Sequence, residues 1–595
     1  MSERYYTTST AFLEALSEAG VRYVFANLGS DHPGLIEALA RARAEGRSGE
    51  LPELIVCPHE IVAMSAAHAC ALVSGSPAAV LVHVDAGTQN LGGAIGNAMR
   101  GRAPVLVFAG AAPVTMRGEL PGGRNEFIHW VQDVRDQRGI MRGYVKYDNE
   151  IRSGCNVKQL VRRALQIADS EPKGPVYLVG PREAMEEPLD PADPANSDNS
   201  NRYRPVEPAA LTHEVADEIA AALAAAEHPL IITGHLGRDP GAVPALVALA
   251  DLLAIPVLES AAFKMNFPAD HPMHAGWQFT TRQQNPVLAE ADVILIVDSD
   301  IPYIPANNGP SPDAAIYVVD TDPLKASMTL WDVPARRIAA ASGKVALGQI
   351  GQSVRRIDCD RDLIEERRAA LTAAHADALA ARSRLEQPDG GQITPQYLTA
   401  CVRELLDGED ALVLTEAVTN FQVVAEHLRV NQPGALIGSG GGSLGWSGGG
   451  AIGAKLASPE RIVVSLVGDG TFLFSVPASA HWVSRRYDAP TLTVIYDNRG
   501  WKAPKQSTLG VHPSGAAAAG DDFHVSFEPE ADLPGVAVAA GAGYGRTVSD
   551  PAELPAVLKE ALSVVRAGRS AVVAAHIPLA QGSGGPASAA VGNTG

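Results

Sequence analysis

Short apolar runs alternate with helical patterns along most of the chain. In the first part, the apolar runs that read as buried strands are residues 21–25, 54–57, 78–82, 104–110 and 174–179. Helical patterns, such as those at 8–20 and 61–74, separate these runs. Strands that alternate with helices form a doubly wound parallel sheet, with the binding site in the loops at the strands' carboxyl ends. The pattern predicts such a domain over residues 1–190.

The same alternation returns twice. Further strands are predicted at 229–232, 255–258, 293–297, 315–319, 461–466 and 492–496. They define a second unit over 209–355, after a linker rich in Pro, Asn and Asp, and a third over 392–580. A charged, Ala-rich helix is predicted between them, and the Gly/Ser/Ala-rich tail 581–595 is expected to be flexible. The predicted fold class is therefore α/β, with three doubly wound parallel-sheet domains.

Composition narrows the function classes. The 595 residues are 46% hydrophobic and 19% charged, as is ordinary for a soluble globular protein. A net charge of −19 argues against a nucleic acid or an anionic membrane as partner. The five cysteines are scattered without a CxxC pair, no apolar run has membrane-spanning length, and the first residues lack a signal-peptide pattern. A cytoplasmic location is the resulting expectation.

One stretch carries the strongest chemical signal, Val467-Gly468-Asp469-Gly470-Thr471, followed downstream by Asp497-Asn498-Arg499-Gly500. Each stretch follows a predicted strand, so a carboxylate and an amide oxygen are expected side by side. Such hard oxygen ligands suit Mg²⁺, which proteins usually bind together with the phosphates of a substrate. The glycines let backbone N–H groups approach a diphosphate at a helix N-terminus. An ordinary strand-to-helix turn is the alternative for the first stretch alone.

The two stretches together resemble the signature of thiamine-diphosphate (ThDP) enzymes, in which GDG is followed by a pair of asparagines. The resemblance implies that Asp469, Asn498 and the carbonyl of Gly500 bind the metal. It also implies that Gly468, Gly470 and Thr471 bind the diphosphate. Asp497 stands where the family has its first asparagine.

Three α/β units with this signature in the third resemble the superfamily of acetohydroxyacid synthase and benzoylformate decarboxylase over nearly the whole chain. That family orders its domains as pyrimidine-binding, central and diphosphate-binding. Its central domain binds FAD in the synthases and ADP in the CoA enzymes, and many relatives leave it empty. The weak glycine turn at 234–238 fixes no nucleotide here.

Glu60 follows a predicted strand and precedes a small-residue helix. Taken alone, it reads as a surface or capping glutamate. The family places one glutamate, commonly in a His-Glu pair like His59-Glu60, against N1′ of the aminopyrimidine, where it promotes loss of the thiazolium C2 proton. The following His68-Ala69-Cys70-Ala71 departs from the family's usual Glu-Gly-Tyr-Ala.

A glycine-rich segment spans residues 440–450 and includes Leu444 and Trp446. A flexible loop is the alternative, although a linker seldom embeds such side chains. By resemblance, Leu444 holds ThDP bent and the Gly442 carbonyl accepts from its 4′-amino group. Thr419 matches a position that contacts the diphosphate.

Three residues bear on the subclass. Ser30 and His83 match two active-site positions of benzoylformate decarboxylase, and a histidine there can move protons on the bound substrate. A structural histidine at a strand end is the alternative. Gln132 matches a glutamine that synthases and 2-hydroxyacyl-CoA lyases carry over the cofactor. These matches point to different subclasses.

The resemblance therefore implies a ThDP- and Mg²⁺-dependent enzyme that cleaves or forms a C–C bond next to a carbonyl, most plainly by decarboxylating a 2-oxo acid, with or without carboligation. The alternatives are a 2-hydroxyacyl-CoA lyase, which Lys502 and Lys505 would suit unless they are solvated surface lysines, and a catalytically silent relative. In the family, Glu60 and Asp469 would come from different subunits. A homodimer or homotetramer with a small-molecule substrate is expected.

Overall fold

The computed structural model describes residues 5–280 and 283–579. Three six-stranded sheets follow one another along the chain, and every strand pairing is parallel. The predicted fold class, α/β with three doubly wound parallel sheets, is confirmed. The tail predicted at 581–595 lies outside the described residues.

The first sheet has the order β2-β1-β3-β4-β6-β5. Its strands are β1 (Tyr23–Ala26), β2 (Glu53–Val56), β3 (Ala78–Val82), β4 (Val105–Ala111), β5 (Asp148–Glu150) and β6 (Val176–Pro181). Its helices are Thr8–Glu18, Pro33–Ala44, Glu60–Ser74, Val84–Asn90, Gly92–Arg100, Ile128–Val131, Gln137–Met141, Val157–Asp169 and Arg182–Met185.

The central sheet has the order β12-β11-β10-β7-β8-β9. Its strands are β7 (Pro229–Thr233), β8 (Val257–Ser260), β9 (His274–Gln278), β10 (Val293–Val297), β11 (Ala315–Asp320) and β12 (Arg337–Ala340). Its helices are His213–Ala225, Val243–Leu253, Pro286–Glu290 and Gly343–Val354, and the long helix Arg361–Leu385 follows them.

The third sheet has the order β14-β13-β15-β16-β18-β17. Its strands are β13 (Ala411–Glu416), β14 (Leu436–Ile437), β15 (Ile462–Gly468), β16 (Leu492–Asp497), β17 (Tyr544–Val548) and β18 (Ala571–His576). Its helices are Pro395–Leu405, Phe421–Leu428, Trp446–Ala457, Asp469–Phe474, Pro477–Arg486, Lys502–Val511, Ala516–Gly520, Leu533–Ala540 and Leu554–Arg566.

Most interior strands are the ones that the apolar runs predicted, but β13 and β18 of the third sheet are interior strands that were not predicted. β3, β7 and β10 are buried along their whole length, because helices cover both faces of a doubly wound sheet. The edge strands β5, β12 and β17 carry polar or exposed residues and lack such a run. Neighbouring strands pair with them all the same, and these three strands were not predicted from the sequence.

Two small-residue helices join the first and third domains. Helix Glu60–Ser74 packs along helix Trp446–Ala457, and the backbones come very close. A Cβ atom at Gly453 would lie 1.9 Å from the carbonyl oxygen of Ala66, and one at Gly449 would lie 2.4 Å from that of Val62. Only glycine fits at these two points, so the glycines after Trp446 form a helix contact and not a flexible loop.

Candidate active site

Asp469 lies at the carboxyl edge of the third sheet, directly after β15, where it begins helix Asp469–Phe474. Its Oδ1 accepts a hydrogen bond from the Gly470 amide at 2.7 Å, and its Oδ2 accepts one from the Gly500 amide at 2.8 Å. The buried Asn498 follows the neighbouring strand β16. The residues predicted as metal ligands therefore lie at one edge, with Asp469 and Gly500 in direct contact.

The donor set of this edge fits Mg²⁺. Burial, and then the nearby carboxyl of Asp497, raise the pKa of Asp469 to about 7. Each Asp469 oxygen uses one lone pair for a backbone amide, so a second remains for a cation. A carboxylate, an amide oxygen and a carbonyl are hard oxygen ligands, and a divalent cation would offset the cost of burying the charge.

Asp497, the departure from the family pattern, has partners besides Asp469. Its Oδ1 accepts from the Arg499 amide at 3.1 Å, and its Oδ2 lies 3.6 Å from Nε2 of His576. The same His576 nitrogen lies 2.6 Å from Oε1 of Glu530. Burial raises the pKa of Asp497.

The remaining residues predicted to contact the diphosphate follow neighbouring strands at the same edge. Gly468 ends β15 and Thr471 is buried in the helix after it. Thr419 lies half-buried in a turn after β13, which pairs with β15. Gly470 cannot be replaced without loss, because a Cβ there would lie 2.3 Å from the Trp501 ring that packs on it.

The loop that carries Gly442 and Leu444 is held at both ends. Gly440 and Gly445 adopt positive φ angles of 74° and 87°, which favour glycine. Between these glycines, Asn97 of the first domain donates to the Ser443 carbonyl at 2.7 Å and accepts from the Ser443 amide at 3.0 Å. Gly442 is exposed and Leu444 is half-buried.

Glu416 holds the end of this loop that leads into helix Trp446–Ala457. Its carboxylate accepts from the amides of Trp446 at 3.1 Å and Ser447 at 2.8 Å, at the first turn of helix Trp446–Ala457. Burial raises the pKa of Glu416 to about 7. A carboxylate at a helix N-terminus accepts hydrogen bonds from amides that lack a partner within the helix, and its negative charge interacts favourably with the helix dipole. No motif marks Glu416, whose only signal in the sequence is its place at the end of an apolar run.

Glu60 begins helix Glu60–Ser74 and is buried. Its Oε2 accepts a hydrogen bond from Nδ2 of Asn90 at 3.1 Å. His59 caps the helix, with Nδ1 accepting from the Ile61 amide at 3.2 Å. The buried His68, which departs from the family sequence, has no hydrogen-bond partner on either ring nitrogen within the described residues.

His83 lies at the carboxyl end of β3, with Nδ1 2.5 Å from Oδ1 of Asp31. The other oxygen of Asp31 accepts from the Val84 amide at 3.0 Å. The hydrogen bond to Asp31 raises the pKa of His83, and a hydrogen bond with Gln132 contributes in the same direction. Burial alone would raise the pKa of Asp31, but His32 and His83 hold it below its ordinary value.

Two glycines make room for this pair. A Cβ at Gly29 would lie 2.0 Å from Nδ1 of His83, and one at Gly110 would lie 2.1 Å from Oδ2 of Asp31. Ser30 lies exposed in the same turn, and no hydrogen bond joins it to His83 within residues 5–280 and 283–579. The structure thus brings His83 together with Gln132, which was predicted, and with Asp31, which was not.

Ion pairs limit the roles of two other positions, Lys505 and Arg238 of the central turn. Lys505 forms an ion pair with Asp521 at 2.8 Å, and Lys502 begins helix Lys502–Val511. In the central turn, Arg238 contacts Asp298 at 3.1 Å, beyond the end of β10. No helix within the described ranges is both long and apolar enough to cross a membrane.

Three domain families match the chain in order. They are described as the N-terminal TPP binding domain, the central domain and the C-terminal TPP binding domain of thiamine pyrophosphate enzymes, and they match residues 6–140, 216–337 and 417–575.

Two relatives and one solved structure are similar to this chain over most of its length. Benzoylformate decarboxylase of Pseudomonas aeruginosa is 25% identical, over 94% of this chain and 97% of its own length. A probable acetolactate synthase large subunit of Methanocaldococcus jannaschii is 26% identical, over 82% of this chain and 80% of its own. The structure of the thiamine-diphosphate-dependent 4-hydroxybenzoylformate decarboxylase of Rhodococcus jostii matches with a TM-score of 0.76 and 21% identity, covering 96% of this chain and 99% of that one.

The three domain families match in their order, in agreement with the three parallel sheets and the motifs at their edges. The chain therefore belongs to the thiamine-diphosphate-dependent enzymes of acetohydroxyacid (acetolactate) synthase and benzoylformate decarboxylase type.

Proposed function

We propose that the chain is a ThDP- and Mg²⁺-dependent decarboxylase of small 2-oxo acids, which releases CO₂ and then either protonates the remaining acyl carbon or joins it to a second carbonyl compound. Family membership and the names of the relatives support the reaction class. The observation that carries the proposal is the contact of His83 Nδ1 with Asp31 Oδ1 at 2.5 Å.

The cofactor residues follow from the edges of two sheets. We assign Mg²⁺ to Asp469, Asn498 and the Gly500 carbonyl. The diphosphate is assigned to Gly468, Gly470, Thr471 and Thr419, and the pyrimidine end to Glu60, Gly442 and Leu444. When bound, ThDP supplies a centre that stabilises negative charge on the former carbonyl carbon.

Glu60 and Asn90 act at the pyrimidine end. The Glu60 carboxyl holds a proton at N1′, and the hydrogen bond from Asn90 fixes its orientation. Because Glu60 is buried, this exchange is shielded from water. An amide at position 60 would keep the shape but could not exchange the proton.

His83 acts at the substrate. Its raised pKa favours the protonated ring, which can donate a proton to the substrate's carbonyl oxygen or acyl carbon. Asp31 fixes the ring and keeps Nδ1 engaged, so that Nε2 is the nitrogen left for the substrate. Gln132 steadies the same ring, and the exposed Ser30 is assigned a substrate contact.

We further propose a homodimer or homotetramer whose active sites lie between subunits. Exposed apolar side chains support it: Phe127, Trp130 and Val131 above the first sheet, and Leu473 and Phe474 beside Asp469. A reducing, cytoplasmic compartment is proposed from the cysteines, which form no disulfide within the described residues.

The test is His83→Ala in single-turnover kinetics with a panel of 2-oxo acids. We expect turnover to fall by roughly 10²–10⁴-fold, the usual range for a positioned acid–base group. ThDP affinity and hydrogen exchange at the cofactor's C2 should stay near wild type, because His83 acts after that proton is lost. His524→Ala, at an 87% exposed side chain, is the matched control.

Full turnover in His83→Ala would remove the decarboxylase proposal. Activity with a 2-hydroxyacyl-CoA and none with any 2-oxo acid would favour the lyase instead. The Lys505–Asp521 ion pair weakens the lyase reading, because it occupies one of the two lysines that would suit CoA.

A further inference from the structure

A cavity of about 180 Å³ lies where the three domains meet, away from Asp469. We call it the junction cavity, and the residues that line it include Leu72, Val73, Arg238, Lys264, Gly434 and Arg461. Three of these side chains are cationic, and no acidic side chain is among the described residues that line the cavity. A single water needs about 10–15 Å³, so there is room for a larger guest.

Lys264 is the unusual member of this wall. It is 3% exposed, and its Nζ makes one hydrogen bond, to the Gly438 carbonyl at 3.3 Å. No carboxylate lies within ion-pair distance of it in the described parts of the chain. A buried charge without a partner is costly, and such groups are normally paired.

The two other lysines that are buried in the described residues follow that rule. Lys158 contacts Glu14 at 2.9 Å and Glu18 at 2.5 Å. Lys325 contacts Asp300 at 2.7 Å and Asp320 at 2.6 Å. Each has two carboxylates, whereas Lys264 has none among the described residues, so the missing counter-charge at Lys264 calls for a source beyond them.

The two arginines add donors and no acceptor. Arg238 contacts Asp298 and Glu171, and Arg461 contacts Asp410, so their charges are partly balanced. Burial, and then the charge of Arg238, lower the pKa of Lys264 to about 7. The nearest charge that acts on Lys264 is thus another cation, which an anion between them would offset.

We propose that the junction cavity binds a small tetrahedral oxyanion, of the size of sulfate or phosphate, with Lys264 as its principal ligand and Arg238 and Arg461 beside it. Lys264 also pairs through its backbone with Ile437, directly before the loop that carries Gly442 and Leu444. The bound anion would therefore hold the first and central domains against the start of that loop.

The experiment is calorimetric titration of sulfate into the enzyme saturated with ThDP and Mg²⁺, which keeps the diphosphate site filled. Chloride at equal ionic strength is the reference. We expect one saturable site per chain, weakened about 10- to 100-fold in Lys264→Met, the loss for one hydrogen bond to a charged group. Lys344→Met is the matched control, because that half-exposed lysine pairs with Asp239 and lines a neighbouring cavity.

Absence of saturable sulfate binding in the wild-type enzyme, or equal affinity in Lys264→Met, overturns the proposal. If Lys264→Met does not fold, crystals of the wild-type enzyme soaked in selenate decide. An anomalous peak within hydrogen-bond distance of Lys264 Nζ supports the site, and its absence there overturns it.

Discussion

The Asp31–His83 contact gives the first sheet a histidine that stays protonated to higher pH than a free one. The hydrogen bond to Asp31 raises the pKa of His83, and the same bond helps to hold the pKa of Asp31 low. Both shifts favour the charged forms of the two partners, as in a charge-assisted hydrogen bond.

This leads to a prediction for Asp31→Asn. The amide keeps an oxygen for the Val84 amide but loses the negative charge, so the pKa of His83 should fall. If protonated His83 is the acid in turnover, activity declines as pH rises through that pKa. The alkaline limb of the kcat profile should then move to lower pH in the variant.

The measurement is kcat against pH for wild type, Asp31→Asn and the control Asp377→Asn, an exposed position on helix Arg361–Leu385. The control should keep the wild-type limb. An alkaline limb that stays in place in Asp31→Asn would mean that a group other than His83 sets it.

At the scale of single residues, the sequence names part of the proposed site. Glu60, Asp469 and Asn498 stand in motifs with a fixed chemical meaning, and they could be named in advance. Asn90, Asn97 and Glu416 could not, because each acts on a residue far away in the sequence, such as Asn97 on Ser443, 346 positions on. No local pattern records such a contact.

At the scale of secondary-structure elements, the close approach of two helices fixes their relative positions. Helices Glu60–Ser74 and Trp446–Ala457 cross with glycine against backbone, which brings the helix of Glu60 beside the helix that follows Leu444. Larger side chains would separate the helices and displace both loops.

Gly453→Ala should therefore destabilise the protein, although alanine is the better helix former. Its Cβ would lie 1.9 Å from the Ala66 carbonyl, so overpacking of about 1–3 kcal/mol should outweigh a helix gain of about 1 kcal/mol. Gly348→Ala is the control, since that helical glycine faces open space and should gain stability.

The check is the urea midpoint of both variants beside wild type, with ThDP loading measured in parallel. A lower midpoint is expected for Gly453→Ala and an equal or higher one for Gly348→Ala. Stabilisation by both substitutions would show that the helices can separate at no cost.

At the scale of the whole molecule, we propose that the site takes residues from two copies of the chain. Glu60 belongs to the first sheet and Asp469 to the third, and no hydrogen bond or ion pair joins the two residues in the described part of one chain. Subunit exchange can test whether a complete site takes one residue from each copy.

Glu60→Gln and Asp469→Ala should each be inactive, the first without its proton exchange and the second with weak ThDP and Mg²⁺ retention by calorimetry. Unfolded together and refolded at equal amounts, they should recover about a quarter of wild-type activity. Half of the dimers would be mixed, each with one intact and one doubly altered site. The double variant refolded with wild type is the control for folding yield. Two variants that recover nothing would place both residues in a site formed by one chain.

The sequence by itself determined the fold class and the chemistry of the sheet edges. Fully apolar runs such as 293–297 predict strands that are covered on both faces, and the signature around Asp469 has a fixed meaning in its family. Those signals are local, since a few neighbouring residues specify each of them.

Only the tertiary structure decided which groups meet. It placed Asp31 on His83, Glu416 on the helix after Leu444, and Lys264 in a cationic cavity with no carboxylate among the described residues of its lining. The physical reason is that hydrogen bonding, desolvation and charge pairing depend on distances between side chains, and three packed domains set those distances between residues that are remote along the chain.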